Sequence, residues 1–124
     1  MQWQVNGVNM KVIVAGSRDF TNFEFLETSL KDYSITEVVS GGARGVDTLG
    51  EQYANKHKIP IKTFPASWDR YGKAAGHIRN TAMAEYADSL IAFWDGRSPG
   101  TLNMIKQAKA LGLDIHVIDI YGKN

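Results

Sequence analysis

The sequence predicts a single α/β domain: a mostly parallel five-stranded sheet with about four helices on both faces, a small Rossmann-like sandwich. Two observations carry this. Short β-rich apolar runs recur along the chain without apolar/polar alternation, the pattern of strands covered on both faces. Between them, apolar residues recur at steps of three and four, the period of a helix with one buried stripe. Strand and helix alternating at this interval make βαβ units, hence parallel strands joined by right-handed crossovers. The 124 residues suit one core, because two would each fall near the lower size limit of a stable domain.

Taken in order, residues 1–9 show no clear period and are expected to form an extension ahead of a domain spanning 10–124. Trp3 and Val5 in that extension are candidates to pack on a neighbouring copy. The first strand is Val12-Ile13-Val14-Ala15. Phe23, Leu26, Leu30 and Tyr33 mark the first helix, and Val38-Val39 the second strand. Val46, Leu49, Tyr53 and His57 mark the second helix, followed by a strand within residues 59–64. An alanine-rich helix is expected over 78–87 and a strand over 90–94. Leu102, Ile105, Ala108 and Leu111 share one face of the next helix, and residues 115–120 form the last strand.

Composition excludes several classes. No cysteine is present, so disulfides, iron–sulfur clusters, thiolate zinc sites and cysteine nucleophiles are ruled out. Fourteen basic and thirteen acidic residues give a net charge of +1, which argues against polyanion binding through bulk charge. The longest apolar run, residues 90–94, is far short of the roughly 20 residues of a membrane helix. Met1-Gln2-Trp3-Gln4 lacks the basic and apolar regions of a signal peptide. The expectation is a cytoplasmic protein with no membrane partner.

In open α/β sheets ligands bind beyond the carboxyl ends of the strands, so the strand-to-helix connections are where function is sought. All five arginines, Arg18, Arg44, Arg70, Arg79 and Arg97, fall in those connections or in the first helical turn after them. Most lysines do not, Lys73 being the main exception. A guanidinium grips phosphate or carboxylate with a planar fork, whereas lysine acts as a mobile point charge. Gathering arginine on one rim of a nearly neutral chain predicts a local anion site. Pairing with Asp19, Asp47, Asp69 and Asp95 in the same connections is the competing account.

Glycine marks the same rim. The first connection reads Gly16-Ser17-Arg18-Asp19, and the second Gly41-Gly42-Ala43-Arg44-Gly45-Val46-Asp47. Glycines here let the backbone approach a ligand, and their amides with the helix N-terminus can cradle phosphate. No Gly-Lys-Ser/Thr follows, so this is not a Walker A loop. Asp47 either caps or charge-balances the first turn of the second helix, or meets the ligand. The third connection, residues 65–77, is long and carries Trp68, Tyr71 and Lys73, followed by Arg79 and Asn80. One ring is expected to pack on the body and the other to reach the site. The fourth connection, Asp95-Gly96-Arg97-Ser98-Pro99-Gly100-Thr101, offers Ser98 or Thr101 as a cap and Gly100 and Thr101 amides as a second phosphate contact.

Four of these motifs, in this order, resemble the YspA-type, cpYpsA-related branch of the SLOG superfamily. They are Gly16-Ser17-Arg18-Asp19-Phe20, residues 40–47, Trp68-Asp69-x-Tyr71-Gly72-Lys73-Ala74-Ala75-Gly76 with Arg79-Asn80, and Asp95-Gly96-x-Ser98-x-Gly100-Thr101. The resemblance spans about 10–119. It implies a Rossmann-like fold, a site for a nucleotide or nucleotide-derived ligand, bacterial or phage origin, and self-association into a homo-oligomer. Residues 40–47 also look like one loop of DprA, which binds single-stranded DNA. Gly100-Thr101 looks like part of the Pro-Gly-Gly-x-Gly-Thr-x-x-Glu motif of LOG phosphoribohydrolases, which cleave nucleoside monophosphates at the glycosidic bond. Met104 stands where that motif has its glutamate, and this departure counts against the LOG reaction. His77 stands where proline is expected in Gly-Pro-x-Arg-Asn.

Little dedicated catalytic machinery is visible. His57 and His116 fall on a predicted helix and strand and read as structural; no metal-ligand spacing occurs. The motifs call for no particular cofactor; magnesium could enter with a polyphosphate through a rim aspartate. Asp47 and Asp95 are the candidate acid–base residues, with Asp19, Asp69 and His77 on the same rim. The leading expectation is a module that senses or sequesters a nucleotide-derived small molecule. A nucleotide hydrolase is the first alternative and a DprA-like single-strand binder the second, the latter disfavoured by charge.

Overall fold

The computed structural model describes residues 10–121. Five strands form one all-parallel sheet in the order β3-β2-β1-β4-β5: β1 Lys11–Gly16, β2 Glu37–Ser40, β3 Ile61–Thr63, β4 Ser89–Trp94 and β5 Asp114–Asp119. The helices are α1 Phe23–Leu30, α2 Val46–Lys56, a short α3 Trp68–Tyr71, α4 Ala75–Tyr86 and α5 Pro99–Ala110. The predicted extension, residues 1–9 with Trp3 and Val5, lies outside the described residues.

Central β1 explains the sandwich. Its side chains alternate faces, and both faces are covered. Val12 and Val14 join Leu26 and Leu30 of α1 and Val46, Leu49 and Tyr53 of α2 in one core. Ile13 and Ala15 join Met83 and Ala84 of α4 and Met104 and Ala108 of α5 in the other. Phe93 of β4 is buried in the first core, where Phe20 and Phe25 each lie 6.3 Å from its ring centroid. Helix starts follow local chemistry. Asn22 caps α1 by accepting from the Phe25 N–H at 3.0 Å, and Pro99 occupies the first turn of α5, where its missing donor costs nothing.

One connection departs from expectation. Residues 65–77 do not form an open loop. They fold into α3 and a single 3₁₀ turn, Gly72–Ala74, that runs into α4 three residues before the predicted helix start. The Arg70 and Tyr71 N–H groups donate to the Ser67 carbonyl, closing the turn locally. Trp68 and Tyr71 are both exposed, so neither ring is packed into the body as expected for one of them.

Phe93→Ala is expected to lower unfolding free energy by about 3–5 kcal/mol, because a buried ring leaves a cavity the two flanking rings cannot fill. Urea denaturation checks this; a loss below about 1 kcal/mol would show that the aromatic cluster collapses around the gap.

Candidate functional site

The strand order reverses between β1 and β4. Connections leaving these two neighbours diverge, and the crevice between them is the ligand position of open α/β sheets. A cavity of about 450 Å³ lies there. The register pairs Gly16 with Phe93, so the ends of β1 and β4 lie side by side. The Ser17 N–H donates to the Phe93 carbonyl at 3.1 Å, and the Asp95 N–H donates to Ser17 Oγ at 3.2 Å. Ser17 is thus a buried clasp between two connections.

The second connection is organised by a buried carboxylate. Asp47, 6% exposed, accepts the Ala43 N–H at 3.2 Å and lies against Gly41. Arg79, arriving from α4, donates to the Gly41 carbonyl at 2.6 Å and to Asn80 Oδ1 at 3.0 Å. A Cβ on Gly41 would come within 2.6 Å of Arg79 Nη1 and 2.9 Å of Asp47 Oδ2, so a larger residue would push these two side chains out of this arrangement. Burial pushes the Asp47 carboxyl up to about 6, against the pull of the Ala43 N–H and Arg79. Burial likewise lowers Arg79, although Asp47 opposes it. Asp47 does not cap α2; it braces the turn before it.

The fourth connection closes on Asp95. Its Oδ1 accepts the N–H groups of Arg97 and Ser98, both at 2.8 Å, and its Oδ2 accepts Ser98 Oγ at 3.0 Å. Burial alone would raise this carboxyl; the N–H groups of Ser98 and Arg97 and the Ser98 hydroxyl outweigh it and hold it below the ordinary range. Neither Ser98 nor Thr101 makes a side-chain cap to α5. Asn80 Nδ2 donates to Asn103 Oδ1 at 2.9 Å, joining α4 to α5 beneath the cavity.

A profile of the YspA, cpYpsA-related SLOG family matches residues 10–71. The Gene 61 protein of Mycobacterium phage D29 is 31% identical over 85% of this chain and 93% of its own length. The chain belongs to the YspA, cpYpsA-related SLOG family. Its fold is also similar to that of DNA processing protein A (DprA) from Streptococcus pneumoniae, with a TM-score of 0.73 at 21% identity. That match covers 90% of this chain and 50% of the DprA chain, so this protein spans about half the length of that relative.

Within this SLOG domain most of the predicted site residues converge. Gly16, Ser17, Arg18 and Asp19 line the cavity, with Ala43, Arg44 and Asp47 from the second connection. Trp68, Lys73, Arg79 and Asn80 line it from the third, and Asp95, Ser98, Gly100 and Thr101 from the fourth. Gly41 and Gly42 open instead on an adjoining cavity. Two predicted positions line neither. Gly45 is structural: at φ +80° its missing Cβ would lie 2.4 Å from the carbonyl oxygens of Ser17 and Arg18. Gly96 likewise lines neither cavity and supplies a positive φ in the fourth turn.

The five arginines of the rim divide. Arg18, Arg44 and Arg79 reach the cavity; Arg70 lies over the Tyr71 ring and Arg97 borders neither cavity. Arg44 is paired with Asp19 at 3.1 Å, both largely exposed. Sequence reasoning missed Met83, Pro99 and Met104 as lining residues. Met83 and Met104 carry the helical period of core positions and are buried in the second core. No group of three or more His, Asp and Glu residues gathers as a metal site among the described residues. No helix there is long and apolar enough to cross a membrane.

Asp47 makes stability depend on pH. Its carboxyl lies at about 6 in the fold against an ordinary 3.8. Below about pH 4 both states hold the proton and no penalty exists. Between about pH 4 and pH 6 the unfolded chain releases its proton while the fold keeps it, so stability from this residue falls, by up to about 3 kcal/mol, and levels off above pH 6. Asp47→Asn removes that titration. Wild type minus variant stability should therefore decline between pH 4 and pH 7; a difference that stays flat would return Asp47 to an ordinary carboxyl.

Proposed function

We propose that this protein binds a nucleotide-derived, phosphate-containing small molecule at the β1/β4 crevice, as a sensor or sequestering module. The observation that carries this reading is the surround of the cavity: Arg18 and Arg79 approach it from two connections, and the first turn of α5 approaches from a third. Arg79 is held by two hydrogen bonds before any ligand arrives. Asp47, whose charge offsets that of Arg79, forms no ion pair with it among the described residues. Arg18 makes no ion pair among the described residues. An anion entering here meets fixed donors and positive charge, and pays little reorganisation. Trp68 offers a ring face for a base or sugar at the mouth.

Met104 supports binding over LOG-type cleavage. The place of that motif's glutamate holds a buried thioether packed with Ile13 and Ala108. A hydrolase remains the second reading because Asp47, with its carboxyl near 6 and its place on the cavity wall, has the properties of a general acid. Asp95 is a poorer candidate, since both its oxygens already accept hydrogen bonds within its own turn.

Thermal shift and calorimetry with nucleoside mono- and diphosphates test the reading. Arg18→Ala should stay folded and bind the best of these at least about tenfold more weakly, the loss of one charge-assisted contact. Arg44→Ala should change affinity only a few-fold, because its exposed partner Asp19 already screens it. Unchanged affinity in Arg18→Ala removes that residue from the site. Recovery of intact nucleotide after long incubation supports a binding module; product formation supports the hydrolase.

A further inference from the structure

Next to the first cavity lies a second, of about 340 Å³. The two share a wall formed by Arg18, Ala43, Trp68 and Arg79. The rest of the second cavity is the Gly41-Gly42 turn, Thr63, Pro65 and Ala66. Beyond the shared guanidinium groups it contains no titratable side chain. It offers one hydroxyl, turn amides and small apolar surfaces. Trp68, 51% exposed, borders both spaces, so its indole is available to a ring on either side.

The position of the two arginines is informative. They lie where the cavities meet, not at the end of either. A phosphate held there has room for a substituent on both sides. A terminal phosphate would use one cavity and leave the other to water. The uncharged lining suits a neutral, hydroxyl-bearing group and offers no carboxylate to repel a phosphate or lysine to hold a second one.

We propose that the ligand carries its phosphates internally, as a diester or pyrophosphate diester, with a neutral sugar-sized group in the second cavity. This rests on the nucleotide-binding reading above and adds the class of ligand to it. Thr63, at the end of edge strand β3, and Ala66, in the turn that follows, then discriminate between ligands by what they allow beyond the phosphate.

Calorimetry with three matched pairs tests this: ADP against ADP-ribose, GDP against GDP-mannose, and UDP against UDP-glucose. Members of a pair share base and phosphates and differ in the sugar on the distal phosphate. In at least one pair the sugar-bearing member should bind about tenfold tighter or more. Thr63→Phe, which puts a ring into the second cavity from a strand position that tolerates aromatics, should cut that preference to within about threefold. Ala66→Trp should do the same from the opposite side, so the test survives if one variant fails to fold. Affinity for the plain diphosphate reads out the first cavity in both variants and should hold. Diphosphates binding as tightly as their sugar-bearing partners, or a preference that persists in both folded variants, overturns this inference and leaves the nucleotide reading standing. Failure of all six probes to bind overturns both.

Discussion

The site depends on one close approach. Gly41 is clasped between a guanidinium and a carboxylate, with Arg79 bonded to its carbonyl and Asp47 against its α-carbon. The contact joins α4 to the turn that starts α2, two elements on opposite faces of the sheet. It fixes the turn amides, orients Arg79 and buries Asp47 in a single arrangement. Each partner is imperfectly satisfied by the others: burial disfavours charge on both side chains, and neither fully compensates the other.

Local field and bulk charge therefore say different things. A net charge of +1 spread over the surface would steer nothing. Arg18 and Arg79 beside one cavity set a local potential that the chain average conceals. The acidic residues of the same rim do not cancel it equally. Asp19 is taken up by Arg44 in an exposed pair, Asp95 by the N–H groups of its own turn, and Asp47 accepts the Ala43 N–H. The competing account, salt bridges within the rim, holds for Arg44 and fails for Arg18 and Arg79.

Rigidity and exposure are divided in the same way. The connections after β1 and β4 are tied together through Ser17, Asp95 and Ser98, and both strands are buried. The third connection is built otherwise. The side chains of α3 and the 3₁₀ turn contribute nothing to either buried core, and Trp68 and Tyr71 face outward. The cavity therefore has a tied floor and an edge that lies outside both cores.

The alternating apolar runs determined the strands and longer helices, because parallel strands and the helices over them must bury apolar faces whatever the topology. The same chain order placed Gly16-Ser17, the Gly41–Ala43 turn and Gly100-Thr101 at one rim, since every crossover in a parallel sheet returns to the same end. The sequence could not say which connections meet. That came from the strand order: β4 pairs with β1, setting Ser17 against Asp95 and leaving the crevice between diverging chains. Nor could it show that Arg79 is locked to the Gly41 carbonyl, because residue type is local and burial is not. The same holds for Asp47, whose carboxyl is raised by neighbours that only the folded chain brings around it.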